Sequence, residues 1–375
     1  MHAVVLSGWL SQGAQVAAFE TEFAAEVGAR HACAVSNCTT ALHLALLAAG
    51  VERGGEVITV SHSFIAGPNA VRHIGAIPVF IDIEEGGFNI DPMQVSDAIT
   101  PRTQAILCVH QMGMPCDLTA ISAIAKHHGL PLIEDGACAI GSQILIENSW
   151  RKIGKPHGDI VCFSFHPRKV LTTGEGGMLT TDNDDFAGFF RLARQHGMSV
   201  SDGVRHASPT VIFEEYLMSG FNYRMTDIQA AIGRLQLKRL TEIVARRRSL
   251  AMRYRVLLNA VEGVHAPTEP SWAKSNWQSF AVRLDPELNQ KRIMQHMLDN
   301  GVATRRGIMC AHREAAYEGH PMPHPLHRSE LAQDRSIILP LYPQMTDDAQ
   351  QQVVDALRSA IKASKAKASI RLVKA

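Results

Sequence analysis

The chain has 375 residues, too many for one compact core and suited to a large domain with a smaller one, which excludes a small binding module. With 46% hydrophobic and 19% charged residues, it has ample aliphatic material to bury and no stretch depleted enough to be disordered. The 37 basic and 36 acidic residues leave a formal charge of +1, so no global field would hold nucleic acid and any anion must be bound locally.

Short β-branched, apolar runs predict seven strands, over His31–Ser36, Glu56–Ser61, Ile77–Ile83, Ala105–His110, Leu130–Asp135, Asp159–Phe165 and Gly177–Thr181. Helical periodicity over Thr40–Ala49 and Leu118–His128, with Gly129 as a C-cap, gives the alternation of an α/β domain with a mostly parallel sheet. From Met225 one long amphipathic helix is expected, with Ile228, Ile232, Leu235 and Ile243 on one face. Arg234, Lys238, Arg239 and Arg246 to Arg248 supply another face, read as solvated or interfacial rather than as a nucleic-acid contact. Beyond Pro267 follow a strand over Ser279–Leu284, a helix over Gln290–Asn300, a Pro/His-rich loop over 320–327 and a last helix over Asp347–Ile361. The basic tail after Lys362 is expected to fray.

Seven cysteines form no CxxC pair, which predicts reduced thiols in a cytoplasmic protein rather than a disulfide framework or a zinc site. The N-terminus shows no secretory leader pattern and no run of about eighteen apolar residues occurs, so neither secretion nor a membrane span is expected. The prolines between His312, His320, His324 and His327 prevent helical convergence on a metal, and none is expected. P-loop, dinucleotide GxGxxG and GxSxG patterns are absent.

Three constellations carry chemistry. Ser36-Asn37-Cys38-Thr39-Thr40 runs from a strand end into a helix whose first turn offers two adjacent hydroxyls and free N–H groups, as a phosphate requires; a simple helix cap by Ser36 or Thr39 is the alternative. Ile133-Glu134-Asp135 ends an aliphatic strand in paired acids, and in an open parallel sheet such an end faces a ligand; a structural salt bridge is the alternative. Ser164-Phe165-His166-Pro167-Arg168-Lys169 precedes Thr172-Thr173-Gly174-Glu175-Gly176-Gly177, which places a lysine between a hydrophobic strand and a Gly-rich turn. Desolvation there would lower its pKa towards a nucleophilic amine, the alternative being a surface lysine. Together the three offer an amine, a carboxylate and a phosphate cup, the needs of pyridoxal 5'-phosphate (PLP).

With these motifs, and with Ser7-Gly8-Trp9, Gly220 to Met225, Gln229 to Gly233 and Leu339-Pro340-Leu341, nearly the whole chain resembles the DegT/DnrJ/StrS family of PLP-dependent sugar aminotransferases. The resemblance implies the α/β fold type I of PLP-dependent transferases. Its large domain carries a mixed, mostly parallel seven-stranded sheet flanked by helices over residues 1–245, and a smaller α+β domain with a linking helix spans 246–375. Lys169 then matches the Schiff-base lysine, Asp135 the partner of the pyridinium nitrogen, and Thr39, Thr40 and Ser164 phosphate-binding positions. Phe64 matches the aromatic that stacks on the cofactor. Asn222 matches the residue that reaches the phosphate from the neighbouring subunit, which implies a homodimer with shared active sites. Arg224 matches a contact to the substrate's nucleotide diphosphate, with a structural ion pair as the alternative, and His166 stands near enough to the lysine to touch substrate.

Three departures stand out. Cys138 replaces the Gln or His that often bonds the cofactor's phenolic oxygen, and Cys38 stands where glycine is frequent. The family usually carries a longer stretch before Ser7-Gly8-Trp9, so either the start lies upstream or the site entrance is trimmed. The implied activity is transfer of an amino group from glutamate to a keto group of a nucleotide-linked deoxysugar, by a cytoplasmic homodimer with neither nucleic-acid nor membrane partners. Rival readings on this scaffold are a sugar dehydratase, whose members replace the lysine with histidine, a free keto-cyclitol aminotransferase, and a non-catalytic PLP-binding regulator. The choice of sugar is expected to depend on loops near His166, Trp277 and His312 to Tyr317.

Overall fold

In the computed structural model, the apolar runs of the first half become β1 (His31–Val35), β2 (Glu56–Val60), β3 (Ile77–Ile81), β4 (Thr103–Val109) and β5 (Leu132–Asp135). A hairpin of β6 (Gln143–Ile146) and β7 (Ser149–Lys152) follows, then β8 (Ile160–Ser164) and β9 (Gly177–Thr181). The structure describes residues 1–372, with side chains through Lys365. All seven expected strands form one sheet in the order β1-β9-β8-β5-β4-β2-β3. Pairing is parallel from β3 through β2, β4 and β5 to β8, whereas β9 runs antiparallel to both β8 and β1. The C-terminal ends of β1, β2, β4, β5 and β8 therefore share one edge with the start of β9.

These strands read as continuous apolar runs because helices cover both faces of the sheet. On one face Val16, Phe19 and Phe23 of the helix Ala14–Val27 pack against Ile58, Ile106 and Val161. On the other, Leu42, Leu44 and Leu46 of the helix Cys38–Ala48 meet Val57, Leu107 and Ile133. Helix Leu118–His128 has its predicted bounds: Asp117 accepts a hydrogen bond from the Ala120 amide at its start, and Gly129 ends it with φ +63°.

The long helix expected from Met225 is two helices, Asp227–Lys238 and Leu240–Leu258. A Thr226–Gln229 capping box starts the first, and Arg239 (φ −95°, ψ −4°) caps its end and precedes the second helix, which enters a separate core. That core gathers Leu250, Tyr254, Phe280, Ile293, Met297 and Leu357, while Leu240, Ile243 and Val244 still belong to the sheet's core.

The second half adds β10 (Val264–His265), β11 (Ala273–Lys274), β12 (Phe280–Leu284), β13 (Arg305–Arg306) and β14 (Ser336–Leu339). They form an antiparallel sheet β10-β12-β14-β13, except that β11 extends the β6-β7 hairpin. The hairpin escaped the sequence analysis because its turn is Glu147-Asn148, both at positive φ, without the glycine that usually signals one. Helix Gln290–Asp299 lies where expected, and His327–Arg335 is a helix that the Pro/His-rich pattern concealed. The last helix does not fray at Lys362 but continues to Leu372; residues 373–375 of the tail lie outside the described residues. No helix among the described residues is long and apolar enough to cross a membrane.

Candidate active site

At the end of β1 the chain turns into helix Cys38–Ala48. The cap is Asn37, not Ser36 or Thr39: its side-chain oxygen accepts from the Thr40 amide at 2.9 Å. Thr40 completes the capping box, since its hydroxyl accepts from the Asn37 amide and donates to the Asn37 carbonyl at 2.8 Å. Of the two adjacent hydroxyls, Thr40 is thus tied to the cap and Thr39 is free, with no hydrogen bond among the described residues. The Cys38 and Thr39 amides, in the first turn, have no intrahelical partner. The turn lies so close to β9 that a Cβ on Gly177 would sit 2.4 Å from the Asn37 carbonyl oxygen and 2.8 Å from the Cys38 nitrogen. Gly177 pairs with Val35 on one side and with Ser164 on the other, so Ser164 ends β8 at the same sheet edge as this turn. Cys38 is buried and needs no glycine conformation.

The paired acids at the end of β5 have opposite environments, because successive strand residues face opposite sides. Glu134 is fully buried, accepts the His157 and Gly158 amides at 2.9 Å each, and pairs with His110 Nε2 at 3.1 Å. Since His110 Nδ1 accepts the Cys116 amide, Nε2 carries the proton towards Glu134. Burial opposes ionisation of Glu134, but the hydrogen bonds from His110 and the Gly158 amide outweigh it and hold its pKa below the ordinary carboxylate value. Asp135 faces the other way. Its Oδ1 accepts the Ala137 amide at 2.9 Å and its Oδ2 has no partner among the described residues. Burial pushes its carboxyl up, against the opposing pull of that amide and of Lys169.

Lys169 sits in the loop between β8 and β9, which is closed by Phe165 N–H to Gly176 O at 2.8 Å and Thr173 N–H to Phe165 O at 3.0 Å. Its Nζ donates to Cys138 Sγ at 3.1 Å. The expected fall in its pKa is not found. Desolvation does pull it down, but the Cys138 sulfur and the Asp135 carboxylate outweigh that, and the balance lies above the ordinary lysine value. His166 stays in the loop, where its Nδ1 accepts the Arg168 amide at 3.2 Å and its Nε2 lies 4.0 Å from Glu175.

The remaining expected residues are less closely gathered. Phe64 follows β2 on the shared edge but is 62% exposed. Asn222 is exposed in a segment that pairs with the end of β1, where the Ser36 amide donates to the Tyr223 carbonyl at 2.8 Å. Arg224 bridges Val35 through its backbone and enters no ion pair among the described residues of this chain. Trp277 is buried against Phe280 in the second core and does not line the shared edge. His312 is held between Ser61 and Glu330, and Tyr317 is buried.

Sequence reasoning missed the clamp that holds the lysine loop. Asn276 Nδ2 donates to the Cys138 and Ile140 carbonyls at 2.8 Å, while Gln278 Nε2 donates to the Arg168 carbonyl at 2.6 Å and its Oε1 accepts the Val170 amide at 2.9 Å. One short segment thus fixes both Cys138 and Lys169, with Trp277 between its two amides at φ +52°. The available signal was a polar Asn-Trp-Gln step directly before an apolar strand.

An amine, an open carboxylate and a helix turn with free amides stand along one sheet edge, and the sequence model of the DegT/DnrJ/EryC1/StrS aminotransferase family fits residues 1–358. The chain belongs to this family. It is 38% identical over 366 residues to the spore coat polysaccharide biosynthesis protein SpsC of Bacillus subtilis, covering 95% of this chain and 92% of that one. Among solved structures it is similar to the aminotransferase TlmJ of Streptoalloteichus hindustanus (33% identity, TM-score 0.88, covering 96% and 94%). It is also similar to DesI with its TDP-sugar product (34% identity, TM-score 0.86, covering 99% and 91%). The fold is the type I fold of PLP-dependent transferases, and the protein is a PLP-dependent aminotransferase.

Proposed function

We propose that the protein transfers an amino group from glutamate to a keto group on a nucleotide-linked deoxysugar. The observation that carries the reading is the gathering of Lys169, the unpartnered Asp135 Oδ2 and the free Thr39 hydroxyl at one sheet edge. The coverage of the TDP-sugar-binding relative DesI supports a nucleotide-linked acceptor. When bound, PLP supplies an electron sink that lets nitrogen pass between a donor amino acid and an acceptor ketone.

The chain's own groups fit that cofactor. The Thr39 hydroxyl, Ser164 and the free first-turn amides would hold its phosphate at the turn whose close approach to β9 Gly177 permits, with Thr40 stiffening the turn. Asp135, buried and anchored by the Ala137 amide, presents Oδ2 to a ring N–H, and the cation there would restore its charge against burial. Lys169 Nζ would bond the cofactor and, once the donor's amine displaces it, would be free to carry the proton between the two imine carbons. The Asn276–Gln278 clamp fixes the direction from which it approaches. Cys138, already on Nζ, would stand beside the lysine as a weak hydrogen-bonding group, and Phe64 would close over the ring.

A homodimer completes the reading. Val211, Phe213, Tyr216 and Leu217 stand exposed in the segment leading to Asn222, an apolar surface suited to a second copy that would receive Asn222 and Arg224. His166, held at the loop's rim, is placed to meet substrate. We take residues 1–245 and 246–375 as the two domains, supported by the two separate cores, and the cytoplasm as the compartment, supported by seven free thiols.

Incubating the PLP-loaded protein with glutamate and a TDP-linked keto-deoxysugar tests the reading. One 2-oxoglutarate should form per amino-sugar nucleotide, as read by mass spectrometry. Release of water without an amino product would favour the dehydratase, and binding of PLP without conversion of any keto-sugar would favour the regulator.

A further inference from the structure

Behind the lysine loop, between the junction of helices Asp227–Lys238 and Leu240–Leu258 and the β13–β14 edge of the second sheet, lies a cavity of about 510 Å³. Arg168, Lys169, Arg239, Arg247 and Arg305 line it, and no aspartate or glutamate does so among the described residues. Thr39, Asp135, Cys138 and Ser164 take no part in its walls, so it is distinct from the cofactor cup.

The arginines are unusual in being unpaired. Nearby Arg234 pairs with Glu22 at 2.6 Å and Arg306 with Glu314 at 3.7 Å, yet Arg168, Arg239 and Arg305 enter no ion pair among the described residues. Arg247 is 7% exposed; its Nη1 donates to the carbonyls of Trp277, Gln278 and Leu341, but its Nε–H is buried without any partner. Burial draws the Arg247 pKa down to about 10, which leaves it cationic at neutral pH; burial and the Arg168 charge also push Arg305 down. Arg168, Arg239 and Arg305 are exposed at the cavity's mouth and Arg247 is buried at its wall, so charge and an unsatisfied donor together favour an anion there.

We propose that this cavity is a phosphoanion site, separate from the cofactor's phosphate cup, that takes a diphosphate group. Four guanidiniums exceed what one carboxylate neutralises, whereas two linked phosphates supply both the charge and the acceptor oxygens that guanidinium forks match. The volume suits such a group with a small organic substituent. A free nucleoside diphosphate and the diphosphate of a nucleotide-linked sugar share this chemistry. Where the diphosphate is that of the sugar acceptor, the inference rests on the amino-transfer reading, and its test needs no turnover.

Calorimetric titration of the PLP-loaded protein with inorganic diphosphate should show one saturable site per chain. Arg239→Gln and Arg305→Gln should each weaken binding about tenfold. Arg306→Gln, next along the strand but paired with Glu314 and outside the cavity, should leave it unchanged. Absence of saturable binding, equal loss in the Arg306 variant, unchanged affinity in the Arg239/Arg305 double variant, or release of PLP on adding diphosphate would each overturn the proposal. A second titration with TDP-glucose on the diphosphate-saturated protein identifies the source. Displacement assigns the site to the diphosphate of a nucleotide-linked sugar, and simultaneous binding assigns it to a free phosphoanion.

Discussion

At the end of β1 an anion would meet backbone amides and the Thr39 hydroxyl, groups without net charge that are aimed by the Asn37–Thr40 capping box. In the cavity behind the lysine loop it would meet guanidiniums instead, with no acid among the described lining residues. The first is built by close approach, as Gly177 demonstrates, and suits one phosphate held in a fixed place. The second is built by charge and suits a ligand that comes and goes. Geometry should therefore govern the first region and ionic strength the second.

The largest effect expected from breaking that contrast is at Gly177. Gly177→Val would drive side-chain atoms into the Asn37 backbone, and cofactor affinity should fall at least about 10²-fold, while diphosphate binding stays at the wild-type value. Spectrophotometric PLP titration beside calorimetry measures both. Thr39→Ala removes one charge-assisted hydrogen bond and should weaken cofactor binding about tenfold, again without touching the arginine cavity. Raising NaCl should weaken diphosphate binding several-fold yet leave cofactor retention after dialysis unchanged; equal sensitivity of the two would remove the distinction.

The smallest effect concerns the lysine that stands between the two regions. Because its pKa is raised, the neutral amine fraction should keep growing as pH rises through 10, and the rate of PLP uptake by the apoprotein should climb without a plateau. Cys138→Ala removes the sulfur that opposes desolvation, so uptake at pH 8 should be about threefold to tenfold faster and level off at a lower pH. A plateau at the same pH in both proteins would count against that role for Cys138.

The sequence carries the large sheet plainly because its strands are buried on both faces, so Val57, Ile106 and Ile133 appear as unbroken apolar runs. It is less informative where a local exception decides the course of the chain. Arg239 breaks a helix whose apolar periodicity continues across it, and Glu147-Asn148 turns a hairpin without glycine. In the candidate site, residue types and the family resemblance point to Lys169 and Asp135, but the electrostatics of these two depend on Cys138 and Ala137, contacts that only folding creates. The Asn276–Gln278 clamp was hidden for the same reason, since it lies more than a hundred residues from the carbonyl of Arg168 that it holds.

The assignment of Lys169 as the cofactor's attachment point underlies all of this, and borohydride reduction of the PLP-loaded protein followed by peptide mapping tests it most directly. The account predicts a single phosphopyridoxyl group on the peptide containing Lys169, and none in Lys169→Ala. A modified peptide elsewhere, or an unchanged yield in that variant, would contradict it.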